Sequence, residues 1–316
     1  MLFCAVAMMA QMKRTTLSAE IYGYQQDMVY FGCVQTPAIQ AEFHSNPGEE
    51  HLYNFETDKL VTLIINGRID LLLLPGDSLH VKMNYEGRAV KSAQFTGTPQ
   101  AVCQNRLLWD IETLKRSMRY KSQLLACAAV DVKPQARLED SRTLLAKVKE
   151  MIAKAGKDLA PEAAAYIMAD VESDAYLSFI EYPVMYAEIR RTPLDKQGIG
   201  DYWTLMDGYT VERNDQAALR NPKYASLLMR YASFLKEKEA VKAGKKYTMP
   251  GTLEEMFKEF AGTFDGDVRD AVLYQLLCNF IRNGKELERA EPLLKEYLEK
   301  YNRDKEYAQI LNNLMQ

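Results

Sequence analysis

Residues 71–81 read Leu71-Leu72-Leu73-Leu74-Pro75-Gly76-Asp77-Ser78-Leu79-His80-Val81. Four consecutive leucines have the composition of a short strand buried on both faces. Pro75-Gly76 then suits a type II turn, since proline fixes φ at the second position and glycine supplies positive φ at the third. Beyond it, Leu79 and Val81 alternate with polar neighbours, the pattern of a strand with one buried face. Asp77 and Ser78 are the residue types that hydrogen-bond a turn's own backbone.

Working outward, Val61-Thr62-Leu63-Ile64-Ile65 and Arg68-Ile69-Asp70-Leu71 flank Asn66-Gly67. That dipeptide is the strongest short-range hairpin signal, because both residues accept the positive φ of a type I′ turn. Further short runs lie near Leu17–Ile21, Met28–Val34, Ile39–Ser45, His51–Thr57 and Val90–Phe95. About eight strands spaced at 8–12 residues between Thr15 and Gly97 predict an antiparallel sandwich. At Thr98-Pro99 the period changes from two to that of a helix. Leu108, Ile111, Leu114 and Met118 continue a helix to about Ala129; others are expected near 135–155, 161–191 with a kink at Pro183, and 222–238. Thr252 with Glu255 forms a capping-box pattern ahead of Leu253, and three more helices follow near 268–281, 287–301 and 305–315. Residues 194–208 read as irregular, with Trp203 plugging them onto the core. No repeat of fixed period recurs. The expected fold is therefore α+β and multidomain, an N-terminal antiparallel β-sandwich (15–97) followed by an all-α helical domain (98–316).

Lys and Arg total 40 against 43 Asp and Glu, a balance that offers no clustered basic footprint for nucleic acid. No apolar run reaches the roughly 18 residues of a transmembrane segment. Residues 1–10, Met-Leu-Phe-Cys-Ala-Val-Ala-Met-Met-Ala, resemble the apolar core of a secretory signal cleaved after Ala10, without its positive flank. A truncated signal segment and an exported, periplasmic or cell-envelope protein are the expectation; the alternative is a frayed first strand. Beyond Cys4, the cysteines Cys33, Cys103, Cys127 and Cys278 form no Cys-x-x-Cys, and buried thiols are expected.

With these residues in place, the chain resembles the accessory region of TlpA-like bacterial envelope thiol-disulfide oxidoreductases. The resemblance rests on the Pro75-Gly76-Asp77-Ser78 turn between strands and on Phe95-Thr96-Gly97 leading into a helix with the internal Asn105. In that family a helical region follows and a thioredoxin domain closes the chain. The Trp-Cys-x-x-Cys that carries its redox chemistry is absent here: neither Trp109 nor Trp203 is followed by cysteine. The resemblance thus implies envelope location and a scaffold or binding role toward a protein or peptide partner. The alternative is a fragment of an oxidoreductase whose thioredoxin domain lies outside this sequence.

Other candidate sites have simpler readings. His44, His51 and His80, one on each of three strands, would form a metal site only if those strands were neighbours, and they lack ligand spacing. Asp265, Asp267 and Asp270 resemble a calcium loop, but Leu276 stands where a twelfth-position carboxylate is needed, and helix capping near Val268 is expected instead. Gly198-Ile199-Gly200 lacks a third glycine and reads as a loop. Asp170 and Asp174 share a helix face, expected to be solvated. Lysine-rich 236–246 reads as a hydrated helix end. Tyr166, Tyr176, Tyr182 and Tyr186 could line a groove, or pack between helices. No catalytic, cofactor or metal residue is assigned.

Overall fold

The computed structural model describes residues 11–120, 132–211 and 214–316. The expected signal segment, Cys127 and residues 121–129 of the expected first helix lie outside the described residues; within them that helix stops at Ser117, short of Met118, and Arg119 takes a positive φ of 53°. The fold is α+β, with eight strands among the described N-terminal residues, followed by helices. Two compact units are formed. One contains residues up to Thr113 together with Met151–Ala164; the other contains Leu114–Glu150 and Ala165–Gln316. The chain therefore crosses between them three times, inside α1 (Pro99–Ser117), α2 (Pro134–Ala155) and α3 (Pro161–Ile180).

In the first unit the strands are β1 (Lys13–Tyr22), β2 (Met28–Cys33), β3 (Ile39–His44), β4 (Glu50–Thr57), β5 (Val61–Ile65), β6 (Ile69–Leu73), β7 (Ser78–Glu86) and β8 (Ala89–Gly97). They form two four-stranded sheets, ordered β4-β1-β7-β8 and β3-β2-β5-β6. Alternate residues supply a shared core: Leu17, Ala19 and Ile21 from β1, Val29 and Phe31 from β2, Ile69, Leu71 and Leu73 from β6, Leu79, Val81 and Met83 from β7. Period two puts Leu72 on the opposite face of β6, and it too is fully buried, as the unbroken leucine run requires. Asn66 and Gly67 both have positive φ, 52° and 63°, as a type I′ hairpin demands. Gly76 has φ 90°, and Asp77 N donates to Leu74 O at 3.0 Å, closing the type II turn.

The sandwich is not antiparallel throughout. β1 and β7 pair in parallel, Thr16 opposite Ser78 through Tyr22 opposite Asn84. Strands β2 to β6 intervene in sequence, so β7 returns beside β1 running in the same direction. Alternation of apolar residues reports which face is buried, not which neighbour a strand finds.

The second unit is helical. It includes α4 (Tyr182–Arg190), α5 (Gln216–Leu219), α6 (Pro222–Lys242), α7 (Leu253–Thr263), α8 (Gly266–Arg282), α9 (Leu287–Lys300) and α10 (Lys305–Leu314). The break between α3 and α4 falls at Glu181, with Pro183 in the first turn of α4. The Thr252–Glu255 capping box is formed. α8 is the central helix, touching α5, α6, α7, α9 and α10, and Val272, Leu273 and Leu277 on it are fully buried. Between α4 and α5, Tyr202 is buried and the Trp203 ring stacks on Phe234 at 5.7 Å.

Candidate functional site

The residues that carry the resemblance converge on one joint in the first unit. β6 is the edge of its sheet, and Leu72 turns its peptide groups outward. Asn105 on α1 takes both: its Oδ1 accepts from Leu72 N at 2.8 Å, and its Nδ2 donates to Leu72 O at 2.8 Å and to Ala101 O at 2.7 Å. A side-chain amide thus stands in for the missing neighbouring strand. Gln104 Nε2 adds a second donor to Leu72 O and reaches Asp77 Oδ2, both at 2.8 Å, while its buried Oε1 has no partner.

Asp77 is the other half of the joint. Its Oδ2 also accepts from Leu74 N at 2.8 Å, and its Oδ1 accepts from the Thr98 hydroxyl at 3.1 Å. Gly76 N donates to Thr15 Oγ1 at 3.0 Å, and Thr98 N donates to Ser78 O at 2.8 Å. Asp77 therefore serves the turn through its side chain, whereas Ser78 joins the attachment to α1 through its main chain, its N–H donating to Thr98 Oγ1 at 3.4 Å. Gly97 completes the fit: φ is +141°, and a Cβ there would stand 1.9 Å from Ser78 O.

A cleft of about 1020 Å³ opens beside this joint, between the end of β8 (Thr96, Gly97), α1 and the last turn of α2. Val102, Leu107 and Met151 give it apolar walls, and Arg106, Lys154, Asp110 and Asp158 give it charge of both signs. Cys103 also lines it. Burial, with the Asp158 carboxylate adding to it, holds this thiol above its ordinary pKa despite Arg106. A thiol kept protonated is a weak nucleophile and a weak metal ligand.

The second unit contains an ionic cluster, buried at Lys115 and Asp174 and half-buried at Asp170 and Lys223. Lys115, 2% exposed, places Nζ 2.9 Å from Asp174 Oδ2 and 3.8 Å from Asp170 Oδ2. Lys223 lies 3.0 Å from Asp170 and 3.8 Å from Asp174, and Asn221 donates to Asp170 at 3.2 Å. Asp170 and Asp174 are thus not a solvated face; each carboxylate touches both lysines. Burial opposes ionisation of Asp170, but Lys223 and Lys115 outweigh it and hold the carboxyl below its ordinary value. Burial likewise pulls Lys223 down, and Asp170 and Asp174 more than reverse it. Next to this cluster the Tyr120 hydroxyl meets Ser141 at 2.9 Å and Ser178 at 3.1 Å, and Arg137 stacks 3.9 Å over the Tyr120 ring. The arrangement ties the end of α1 to α3 and α6.

The remaining candidates are dispersed. Tyr166, Tyr176 and Tyr182 are buried in helix packing, Tyr182 donating to Val132 O at 2.6 Å, and Tyr186 alone of the four is half-buried. Packing, not a shared groove, accounts for them. His44 is exposed; His51 is in the sandwich core, stacked on Phe43 at 5.0 Å; His80 lies on the outer face, accepting or donating at 2.8 Å with Ser18 Oγ, near Glu20. Among the described residues no group of three His, Cys, Asp or Glu side chains could hold a metal ion. Cys33, Cys103 and Cys278 are free thiols; Cys278 is buried and the other two are half-buried. No described helix is long and apolar enough to cross a membrane.

The acids at the start of α8 do not cap it. Asp265 makes no side-chain capping bond. Asp270 is buried and accepts from the backbone N–H groups of Arg303 and Asp304, each at 2.8 Å, and from the Tyr297 hydroxyl. It closes the turn between α9 and α10 instead. Lys236 and Lys238 in the lysine-rich stretch pair with Glu259 and Asp207. Sequence reading missed Gln104 and Lys115. Gln104 could have been found as a polar residue next to Asn105 on the inward side of α1; Lys115 carries no local signal.

No protein-family model, curated protein or solved structure matches the chain.

Proposed function

We propose that the chain is a non-catalytic protein of the bacterial envelope, a binding module like the region that precedes the thioredoxin domain in TlpA-like proteins. Its partner is a protein or peptide. One observation carries this reading: the residues behind the resemblance, Pro75 to Ser78, Gly97 and Asn105, belong to a single joint between β6, β7 and α1. A motif whose residues are spent on such a joint supports a likeness of architecture rather than a site of chemistry. The sequence supplies no Cys-x-x-Cys through which the chain itself would exchange disulfides.

The test has two parts. The purified chain is expected to leave the rate of insulin reduction by dithiothreitol unchanged, and catalytic turnover overturns the non-catalytic reading. An antibody against the chain is expected to find it in the envelope fraction of its source cells; recovery in the cytoplasmic fraction overturns the location.

A further inference from the structure

The four sheet edges are not finished alike. The β6 edge is closed by Asn105 and Gln104. The β4 edge carries the charges of Glu50 and Glu56 toward its two ends, and β3 carries that of Glu42. β8 is the edge of its sheet, and from Ala93 to Gly97 it has no charge, no proline and no covering side chain among the described hydrogen bonds. Such an edge is a ready template for another strand.

The register identifies the groups it offers. Thr98 N donates to Ser78 O, and Gly97 pairs with Leu79. In an antiparallel pair the direction of N–H and C=O alternates along the strand. Thr96 and Gln94 therefore face β7, while the peptide groups of Gly97, Phe95 and Ala93 face away from it. That row ends at the cleft, which Thr96 and Gly97 line together with Val102, Leu107 and Met151. Main-chain groups for affinity leading to a side-chain pocket for selectivity is the arrangement that recognises an extended peptide.

We propose that β8 receives an extended segment of the partner by strand addition along Ala93–Gly97, with an apolar side chain of that segment seated against Met151. This rests on the binding-module reading and names its site. Unlike a helix or a folded surface, an extended segment can satisfy the outward peptide groups in sequence.

A random peptide library displayed on phage, selected against the full chain, supplies the probe. Ala93→Pro removes one outward N–H and blocks the edge without costing a ladder bond, because that N–H faces away from β7. Met151→Trp fills the cleft and leaves the edge intact. Selected peptides are expected to bind each variant at least about tenfold more weakly, a difference of about 1.4 kcal/mol. They are also expected to slow amide exchange of Ala93, Phe95 and Gly97. Equal binding to both variants, or protection centred on β4, overturns the site while leaving the module reading in place. Should Ala93→Pro unfold, Met151→Trp and the exchange pattern decide. A homodimer that Ala93→Pro dissolves and no peptide displaces makes the occupant a second copy and overturns the proposal. Failure to enrich any peptide overturns both the site and the peptide-binding reading, whereas insulin turnover strikes the non-catalytic reading alone.

Discussion

Asn105 binds both peptide groups of Leu72, so one side chain takes the place of a neighbouring strand at that residue. Asn105→Ala would leave the Leu72 N–H buried without a partner, its C=O retaining Gln104. An unmet buried donor costs about 1–3 kcal/mol, to which the two bonds of Nδ2 add. We expect Asn105→Ala to lower the urea midpoint of the first unit by an amount equivalent to about 2–3 kcal/mol. Asn105→Asp is expected to do no better, since a carboxylate accepts from Leu72 N but donates nothing to Leu72 O.

Gly97→Ala tests the close approach at the end of β8. A methyl group would meet Ser78 O in a conformation that L residues rarely adopt. Relief requires moving the turn away from α1. A loss of about 3 kcal/mol or more is expected, with amide exchange accelerating at Ser78 and Thr98 before the rest of the sheet. A midpoint within error of the parent chain would contradict this account of the joint.

Removing one partner of the buried pair in the second unit should be far worse than removing both. Lys115→Met leaves Asp174 and Asp170 sharing Lys223 alone, with Asp174 losing its nearest cation, and is expected to cost about 3–5 kcal/mol. Combining it with Asp174→Leu leaves Lys223 paired with Asp170 and is expected to recover most of that loss. A double-mutant cycle by chemical denaturation measures the coupling; additive losses would mean that the two side chains do not act as a pair.

His51 makes stability depend on pH in a stated direction. The ring is 2% exposed and its Nε2 has no hydrogen-bond partner. Burial lowers its pKa from the ordinary 6.5, with Glu49 acting weakly in the opposite sense. The unfolded chain therefore takes up this proton first as pH falls. The contribution is intact above about 6.5 and declines on acidification toward the depressed folded value, at no more than about 1.4 kcal/mol per pH unit for one proton. His51→Phe is expected to flatten the difference in urea midpoint between neutral and mildly acidic buffer. An unchanged pH dependence would show that His51 does not contribute to it.

Much of the sandwich was legible because a strand with one buried face writes its period into the chain, and because Asn66-Gly67 and Pro75-Gly76 encode their own turns. What was hidden depends on partners far away in sequence. Asp170 and Asp174 are spaced like a solvated helix face, and only their distant partners Lys115 and Lys223 reveal a half-buried and a buried carboxylate. Asp270 looks like a cap for its own helix and instead closes the turn before α10. The tyrosines of α3 and α4 could equally have edged a groove, since their spacing does not say what lies opposite. Asn105 was visible through the resemblance; that it reaches Leu72 could not be read from the local pattern, because the bond spans 33 residues.

The parallel pairing of β1 with β7 imposes an order of assembly. As the chain leaves the ribosome, β1 can meet β4 early, yet its other edge waits until residues 78–84 have emerged. Joining ends so distant requires closing a long loop, a slow event compared with forming the β5–β6 hairpin. The nascent first sheet therefore stays half-built, and open to wrong pairing, until β7 slots into its middle.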